Sequence, residues 1–361
     1  MPERSHAIRF CRATNGMSIA WTAIGSGPPL VVCMMYGHIE QALRTPPIWA
    51  VLEEAGRGRT IVLYDGLGSG LSDRGFAEIS IENSVGDLEA VADAAGAGRF
   101  ALLTAVGGTH TAIRYAARHP DRVERLVVLG GTVRSIASRA ASANSRTKLE
   151  SMIASMEQWW DDPNPAYRNA TDSLFFPSAT PAELQTLGEW QRRALSGSAV
   201  GAAFRAVIGA DSSSDAQNVR CPTLIVHSRD DRRTPFDEAR LLAGLIPNAR
   251  LLPVNGANSW PIPSHPHFHS ICEAVRDFLA EGHEDTRDAS GFQGLTPRQR
   301  EMLDLLARGL DNMQIAAHLG LSEKTVRNMV TPILEKLEVE NRSKAIVKAR
   351  EAGFGTAGRP G

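Results

Sequence analysis

Short hydrophobic runs alternate with segments of helical periodicity along the first 280 residues of the chain. Apolar runs of about four to eight residues are typical of buried strands, and apolar residues spaced three and four apart are typical of helices. The predicted strands are residues 7–13, 17–24, 30–33, 59–64, 100–103, 123–129, 223–227 and 250–254. The predicted helices are residues 81–95, 238–245 and 270–279, and a segment that ends at residue 119. This alternation predicts an α/β fold whose parallel sheet is covered by helices on both faces.

The alternation is interrupted between residues 134 and 219, a segment that is helical in composition. The segment is also aromatic in places, with Trp159, Trp160, Tyr167, Phe175, Phe176 and Trp190. A second change occurs at residues 281–294, which are polar and aperiodic and contain three glycines, as is typical of a linker. We therefore expect one domain over residues 1–280 and another over residues 295–354.

Capping residues mark three successive helices after the predicted linker. Thr296 is a favourable N-cap, and Gln299 is placed to complete a capping box with it. Asp311 caps a second short helix, with Gln314 three residues later, and Ser322 caps a third. Two short helices, a turn and a longer helix predict an all-α helix-turn-helix domain.

The third of these helices has an apolar face and a polar face. The apolar face carries Val326, Val330, Ile333, Leu334 and Leu337. The other side and the start of the helix carry the residues predicted to contact DNA: Lys324, Thr325, Arg327, Asn328 and Thr331. Such a set can lie in the major groove of double-stranded DNA. The alternative is a generic helical bundle with a solvated charged face.

This module resembles the LuxR-type (GerE) DNA-binding domain. The resemblance rests on Leu295-Thr296-Pro297-Arg298-Gln299, on residues 309–319 and on Ser322 to Val326. Three positions depart from the family pattern: Gln299 replaces a glutamate, Met329 replaces a histidine, and Pro332 lies inside the third helix. Proline removes one backbone donor, so a kink is expected there.

The first half of the chain resembles the α/β-hydrolase fold over residues 10–280. The matching pieces are Tyr64-Asp65 through Ser72-Asp73, His119 to Val123, and Pro222 to His227. The resemblance implies that residues 134–219 form a helical lid over a pocket. An ordinary helical packing layer is the alternative.

The resemblance also implies positions for a catalytic triad, and two of the three lack suitable side chains. The nucleophile belongs on a strand-to-helix elbow, where this sequence has Val106, which carries no nucleophilic atom and should be strained. Ser259 stands where the general base is expected, and Asp231 stands at the acid position. Losing the nucleophile or the base removes most of the chemistry. We therefore expect no enzymatic activity and interpret Asp231 as a structural remnant.

Two alternatives keep a catalytic function open. A shifted register offers Thr109 as nucleophile, and one of His265, His267 and His269 is a displaced candidate base. Without chemistry, the pocket is expected to bind a small apolar or aromatic effector. The predicted ligand-binding residues are Met34, Met35, Tyr36, Val106, Trp159 and Trp260. A collapsed pocket that serves only as a scaffold is the competing interpretation.

Composition narrows the class of protein further. The chain has 361 residues, 43% hydrophobic content and a net charge of −1, but from Phe292 onward Lys and Arg number eleven against eight Asp and Glu. This weakly basic segment suits salt-sensitive DNA binding. The four cysteines are far apart, so neither a metal site nor a disulfide framework is predicted, and no cofactor is indicated. With no apolar segment long enough to span a bilayer, we expect a cytoplasmic protein without membrane contact.

These observations together predict a transcriptional regulator with a pseudo-enzyme sensor domain. Competing classes are an active hydrolase with a non-standard nucleophile fused to a DNA-binding domain, and a constitutive DNA-binding protein with an inert scaffold. A homodimer on an inverted-repeat operator is expected, because one such module makes few base contacts. Ala345, Ile346 and Ala349 lie on one face of residues 342–353 and are the predicted dimer contact; alternatively, they close the module's own core.

Overall fold

The computed structural model divides into two compact units, Met1–Leu279 and Ala280–Gly361. It describes residues 6–74, 79–134, 143–281, 292, 295–319, 321–337, 339–351 and 354–355. Most of the predicted linker, residues 282–291 and 293–294, lies outside the described residues. Each unit has its own hydrophobic core.

The first unit is built on an eight-stranded sheet with the order β1-β2-β4-β3-β5-β6-β7-β8. The strands are β1 Arg9–Arg12, β2 Ser18–Gly25, β3 Pro29–Cys33, β4 Thr60–Asp65, β5 Phe100–Ala105, β6 Val123–Leu129, β7 Thr223–Ser228 and β8 Ala249–Val254. β1 and β2 pair antiparallel, as do β2 and β4, and all the other neighbours are parallel. The α/β fold with a mainly parallel sheet, expected from the sequence, is confirmed.

Helices cover both faces of this sheet. The helices before the insertion are α1 Ile39–Ala42, α2 Pro46–Ala55, α3 Ile81–Ala94 and α4 Thr109–Arg118; α10 Phe236–Leu245 and α11 Phe268–Ala280 follow it. One face packs against α2 and α11, and the other packs against α3, α4 and α10. Alternate residues of β3 enter opposite cores, with Leu30 and Val32 on one side and Val31 and Cys33 on the other. Burial on both faces explains why the strands are continuous apolar runs.

Between β6 and β7, the described residues form five helices. They are α5 Ala143–Trp159, α6 Ala166–Phe175, α7 Pro181–Ala194, α8 Gly197–Gly209 and α9 Ser213–Ala216. α5 and α8 share a core around Met156, Trp160 and Phe204. α7 begins with a capping box between Thr180 and Glu183, which explains where this helix starts.

The second unit contains α12 Pro297–Ala307, α13 Asn312–Leu319, α14 Glu323–Lys336 and α15 Arg342–Glu351. The predicted caps are confirmed. Thr296 and Gln299 form a capping box, Asp311 and Gln314 exchange the same pair of hydrogen bonds, and Ser322 accepts from the Thr325 N–H. α14 continues through Pro332 to Lys336.

The core of this second unit starts before the position expected from the sequence. Phe292, which lies in the predicted linker, is buried, and its ring centroid lies 5.3 Å from that of Phe354. Both phenylalanines pack on the cluster that contains Leu306 and Val326. The correction has a simple cause: a lone aromatic residue in a polar segment has no periodicity to mark it as core.

Candidate functional site: an elbow, a cavity and an exposed helix

A sharp strand-to-helix elbow joins β5 to α4 through residues 106–108. Val106 at its tip has φ of 43°, and no other described residue apart from glycines has a positive φ. A β-branched side chain is disfavoured in that conformation, so the predicted strain is present. A Cβ atom on Gly108 would lie 2.5 Å from the Cys33 carbonyl oxygen. The elbow therefore has the crowding typical of a nucleophile position, with a valine at the tip.

Asp231, at the acid position, accepts hydrogen bonds within its own loop. Its Oδ1 accepts hydrogen bonds from the Arg233 and Thr234 N–H groups, both at 2.8 Å. Its Oδ2 accepts one from the Thr234 hydroxyl. These bonds close the turn after β7, which gives the buried carboxyl a structural role.

The base position, Ser259, is buried after β8. Its backbone N–H donates to the Phe175 carbonyl oxygen at 2.8 Å, which ties the loop to the end of α6. Within the described residues, the Ser259 hydroxyl has no hydrogen-bond partner. The next residue, Trp260, lines a cavity that lies over the elbow, whereas Ser259 does not.

The alternative catalytic residues lie elsewhere. Thr109 is fully buried at the start of α4 and is absent from the cavity lining. His265 is buried, which lowers the pKa of its imidazole, and its Nδ1 accepts from the His267 N–H at 3.1 Å. His269 is exposed and pairs with Glu54 at 2.9 Å. None of these four side chains lines the cavity beside Val106.

A cavity of about 110 Å³ lies over the elbow, between the carboxyl ends of the strands and the inserted helices. Met34, Ala105 and Val106 lie at the sheet end, and Trp260 comes from the loop after β8. The inserted helices and the segments next to them contribute Trp160, Thr171, Asp172, Phe175, Phe176, Leu187, Trp190, Gln191, Phe204 and Val207. The walls are therefore mainly apolar and aromatic.

Five of the six residues predicted to bind a ligand line this cavity: Met34, Met35, Tyr36, Val106 and Trp260. Trp159 is a correction. It is 45% exposed at the end of α5, and its neighbour Trp160 is buried and lines the cavity instead. Trp159 is the last residue of α5 and Trp160 begins the turn that follows, so the two side chains point in different directions.

Two polar residues of the cavity wall, Asp172 and Gln191, were not predicted from the sequence. Gln191 Nε2 donates to Asp172 Oδ1 at 2.7 Å, and both side chains are buried. Burial raises the pKa of Asp172 to about 7 and raises the pKa of Tyr36 well above its usual value. The available signal was the face of α6 shared by Arg168, Asp172 and Phe175, spaced at three and four residues.

The exposed face of α14 carries the five predicted DNA-binding residues. Lys324, Thr325, Arg327, Asn328 and Thr331 are all exposed, whereas Val326, Ile333 and Leu337 are buried. The Thr325 hydroxyl lies 2.8 Å from the Ser322 hydroxyl, so it takes part in the cap. No ion pair to another described residue occupies Lys324 or Arg327.

The predicted dimer contact on α15 needs correction. Ala345 and Ala349 are fully buried in the core of their own unit, against α12, and Ile346 is half-buried. Val347 is 56% exposed on the other side of the helix. The alternative interpretation, in which the alanines close the module's core, therefore describes this helix.

Among the residues that the structure describes, no group of three His, Cys, Asp or Glu side chains is arranged to hold a metal ion. No described helix is both long and apolar enough to cross a membrane.

Comparison with known families matches both units. Residues 293–349 match the family of bacterial regulatory proteins called the luxR family, and residues 47–266 match the alpha/beta hydrolase fold family. The chain is 47% identical to the transcriptional regulatory protein DesR of Bacillus subtilis (strain 168) over 85 residues, which cover 24% of this chain and 42% of DesR. The chain thus spans less than half the length of that relative.

The first unit has its own relatives. It is 28% identical over 210 residues to RutD of Caulobacter sp. (strain K31), a protein named for carbamate hydrolysis; the match covers 56% of this chain and 75% of RutD. Among solved structures, the esterase EaEST from Exiguobacterium antarcticum superimposes with a TM-score of 0.63 at 20% identity, covering 75% of this chain and 99% of the esterase. The structural likeness concerns the fold.

The chain thus combines a hydrolase-type unit with a helix-turn-helix unit. The chain belongs to the α/β hydrolase fold family and carries a luxR-family helix-turn-helix domain at its C-terminal end.

Proposed function

We propose that the hydrolase-fold unit is a catalytically inactive sensor whose bound ligand controls DNA binding by the helix-turn-helix unit. The observation that carries this proposal is Val106, which holds the elbow position and lines an apolar cavity. A valine offers neither a nucleophilic atom nor a proton for a base to remove. The mainly apolar and aromatic lining of the cavity is typical of a small-molecule binding site.

The other triad positions support the same conclusion. The hydroxyl at the base position, Ser259, is a poor proton acceptor at neutral pH and lies outside the cavity lining. Asp231 is engaged by its own loop and by Thr234. A hydrolase that used Thr109 would need its buried hydroxyl to reach the cavity from the start of α4.

Ligand binding would act on DNA affinity through linkage. A ligand that prefers one of two arrangements of the protein shifts the population toward that arrangement, and DNA affinity changes by the same coupling free energy. The residues proposed to contact DNA are Lys324, Thr325, Arg327, Asn328 and Thr331, with Lys324 and Arg327 also suited to phosphates. A constitutive DNA-binding protein would lack this coupling.

The active form is proposed to be a homodimer on an inverted repeat, because two copies double the base contacts. The exposed Val347 replaces the buried alanines as the candidate contact on α15. Sedimentation with operator DNA tests this proposal: two protomers should bind each palindrome, and Val347→Asp should weaken the pairing. One protomer bound with full affinity on a half-site would contradict it.

The absence of catalysis is tested by assaying the full chain with p-nitrophenyl acetate and butyrate, beside an active esterase as positive control. We expect no turnover above the buffer background. Val106→Ser should also remain inactive, since the base position still holds a serine. Turnover by the wild-type protein that disappears in Thr109→Ala or His265→Ala would contradict the sensor assignment.

A further inference from the structure

The cavity wall holds a pair of buried polar side chains whose hydrogen-bonding atoms are only partly satisfied. Asp172 on α6 and Gln191 on α7 meet through the 2.7 Å bond from Gln191 Nε2 to Asp172 Oδ1. In the part of the chain that the structure describes, Asp172 Oδ2 and Gln191 Oε1 have no hydrogen-bond partner. An unpaired buried carboxylate oxygen costs free energy that a donor from a ligand would recover.

The arginines near this pair are committed to other contacts. Arg168, one turn before Asp172, donates to the carbonyl oxygens of Trp160 and Asp162 at 2.5 and 2.6 Å. The Arg233 guanidinium lies 5.2 Å from the centroid of the Phe175 ring. Burial raises the pKa of Asp172 to about 7, with the Gln191 hydrogen bond and the Arg168 charge acting in the opposite direction. Among the described residues, no neighbouring group therefore donates a hydrogen bond to Asp172 Oδ2.

The remaining wall is suited to a flat apolar group. The Tyr36 and Trp190 rings pack with centroids 5.4 Å apart, and Trp160 and Trp260 also face the cavity. A volume of about 110 Å³ limits the ligand to about one small ring, since a cavity of about 150 Å³ holds benzene. Aromatic walls favour aromatic ligands through offset and edge-to-face contacts.

We propose that the ligand is a small neutral aromatic molecule whose hydroxyl group donates a hydrogen bond to Asp172 Oδ2; this inference rests on the sensor function proposed for the same cavity. A cationic amine would be attracted by Asp172 but repelled by Arg233, which also lines the cavity. An anionic ligand would be attracted by Arg233 but repelled by Asp172. A neutral donor satisfies the free oxygen without the cost of removing a charge from water.

The experiment is a ligand-observed NMR titration of the full chain with phenol, toluene, benzylamine and benzoate, which share one ring and differ in the polar group. At a pH of about 8, where the Asp172 carboxyl is mostly ionised, phenol should bind about tenfold more tightly than toluene, since a hydrogen bond to a charged acceptor adds roughly that factor. Benzylamine and benzoate should bind at least about tenfold more weakly than phenol.

The decisive variant is Asp172→Asn, which keeps the size of the side chain and removes the free carboxylate oxygen. Phenol affinity should fall to about that of toluene, while toluene affinity stays unchanged and shows that the variant is folded. Asp162→Asn, at a half-buried residue of the segment between β6 and β7 that does not line the cavity, is the matched control and should leave all four affinities unchanged.

The outcomes separate this inference from the sensor proposal. Equal binding of phenol and toluene, or phenol binding that survives Asp172→Asn, overturns the hydroxyl contact while leaving a ligand cavity in place. Tightest binding by benzylamine or benzoate overturns the neutral class. Failure of all four molecules to bind overturns the aromatic class of ligand, whereas the sensor proposal is contradicted by esterase turnover of the wild-type protein.

Discussion

The residues proposed to contact DNA lie between Lys324 and Thr331 on one helix, whereas the cavity is lined by residues from Met34 to Trp260. The first surface depends on one local element, with Ser322 setting its start and Val326 and Ile333 fixing its rotation. The second is assembled from two strand ends, a loop and several inserted helices. The first surface can therefore be predicted from the sequence of one helix, whereas the second depends on segments that are far apart in the chain.

The largest expected effect comes from destabilising the helix-turn-helix unit alone. Leu306→Ala removes a fully buried side chain from the second core and should cost about 2–5 kcal/mol, a large part of the stability of so small a unit. Binding to an operator selected from random-sequence DNA should be lost at 37 °C, as measured by fluorescence anisotropy. Toluene binding to the first unit should persist.

Met313→Ala is the matched control for that variant, because Met313 is 63% exposed in the same unit. It should change stability by no more than about 0.5 kcal/mol. Equal losses of operator binding in the two variants would show that burial of Leu306 is not the cause.

Removing single cations on α14 should have an intermediate effect. Lys324→Ala or Arg327→Ala should weaken operator binding by about 1–3 kcal/mol if the side chain contacts a base. If the contact is to phosphate, binding weakens on all sequences and the salt dependence falls by about one unit of slope. Lys344→Ala, on α15 and paired with Glu340 at 2.7 Å, is the control. Unchanged binding in both α14 variants would refute the proposed docking.

The smallest effect concerns the pH dependence of the first unit. Burial raises the pKa of Asp172 to about 7, above its value of about 4 in the unfolded chain. Between these two pH values the native state retains a proton that the unfolded state releases. The free energy of unfolding that protonated Asp172 contributes at low pH is therefore lost as the pH rises from about 4 to about 7. Asp172→Asn does not titrate and should raise the melting temperature by about 2–4 °C at pH 8.

That gain should shrink toward zero as the pH falls to about 4. Differential scanning calorimetry of the wild-type protein and the variant at several pH values measures the difference, with Asp162→Asn as the control. A gain that is the same at every pH would mean that Asp172 is not the titrating group.

Sequence patterns anticipated the sheet, most of the helices that cover it and the second unit, because these depend on local signals. Strand burial on both faces makes apolar runs, and a cap residue needs only its neighbours three positions away to act. Neither α1 nor α2 was predicted, although Pro46 at the start of α2 and the spacing of Ile48, Val51 and Leu52 are helix signals. The elbow was also found locally, since Val106 is followed by two glycines after a buried strand.

The amino-acid sequence by itself determined the two folds, the valine at the elbow, and the polar face of α14. Only the tertiary structure decided that Trp160 rather than Trp159 faces the cavity, that Asp172 meets Gln191 there, and that Ala345 and Ala349 are buried. Each of these depends on the direction in which a helix turns its residues toward a distant partner. A local pattern contains the spacing of side chains along an element, whereas burial and pairing depend on which surface the folded chain brings against that element.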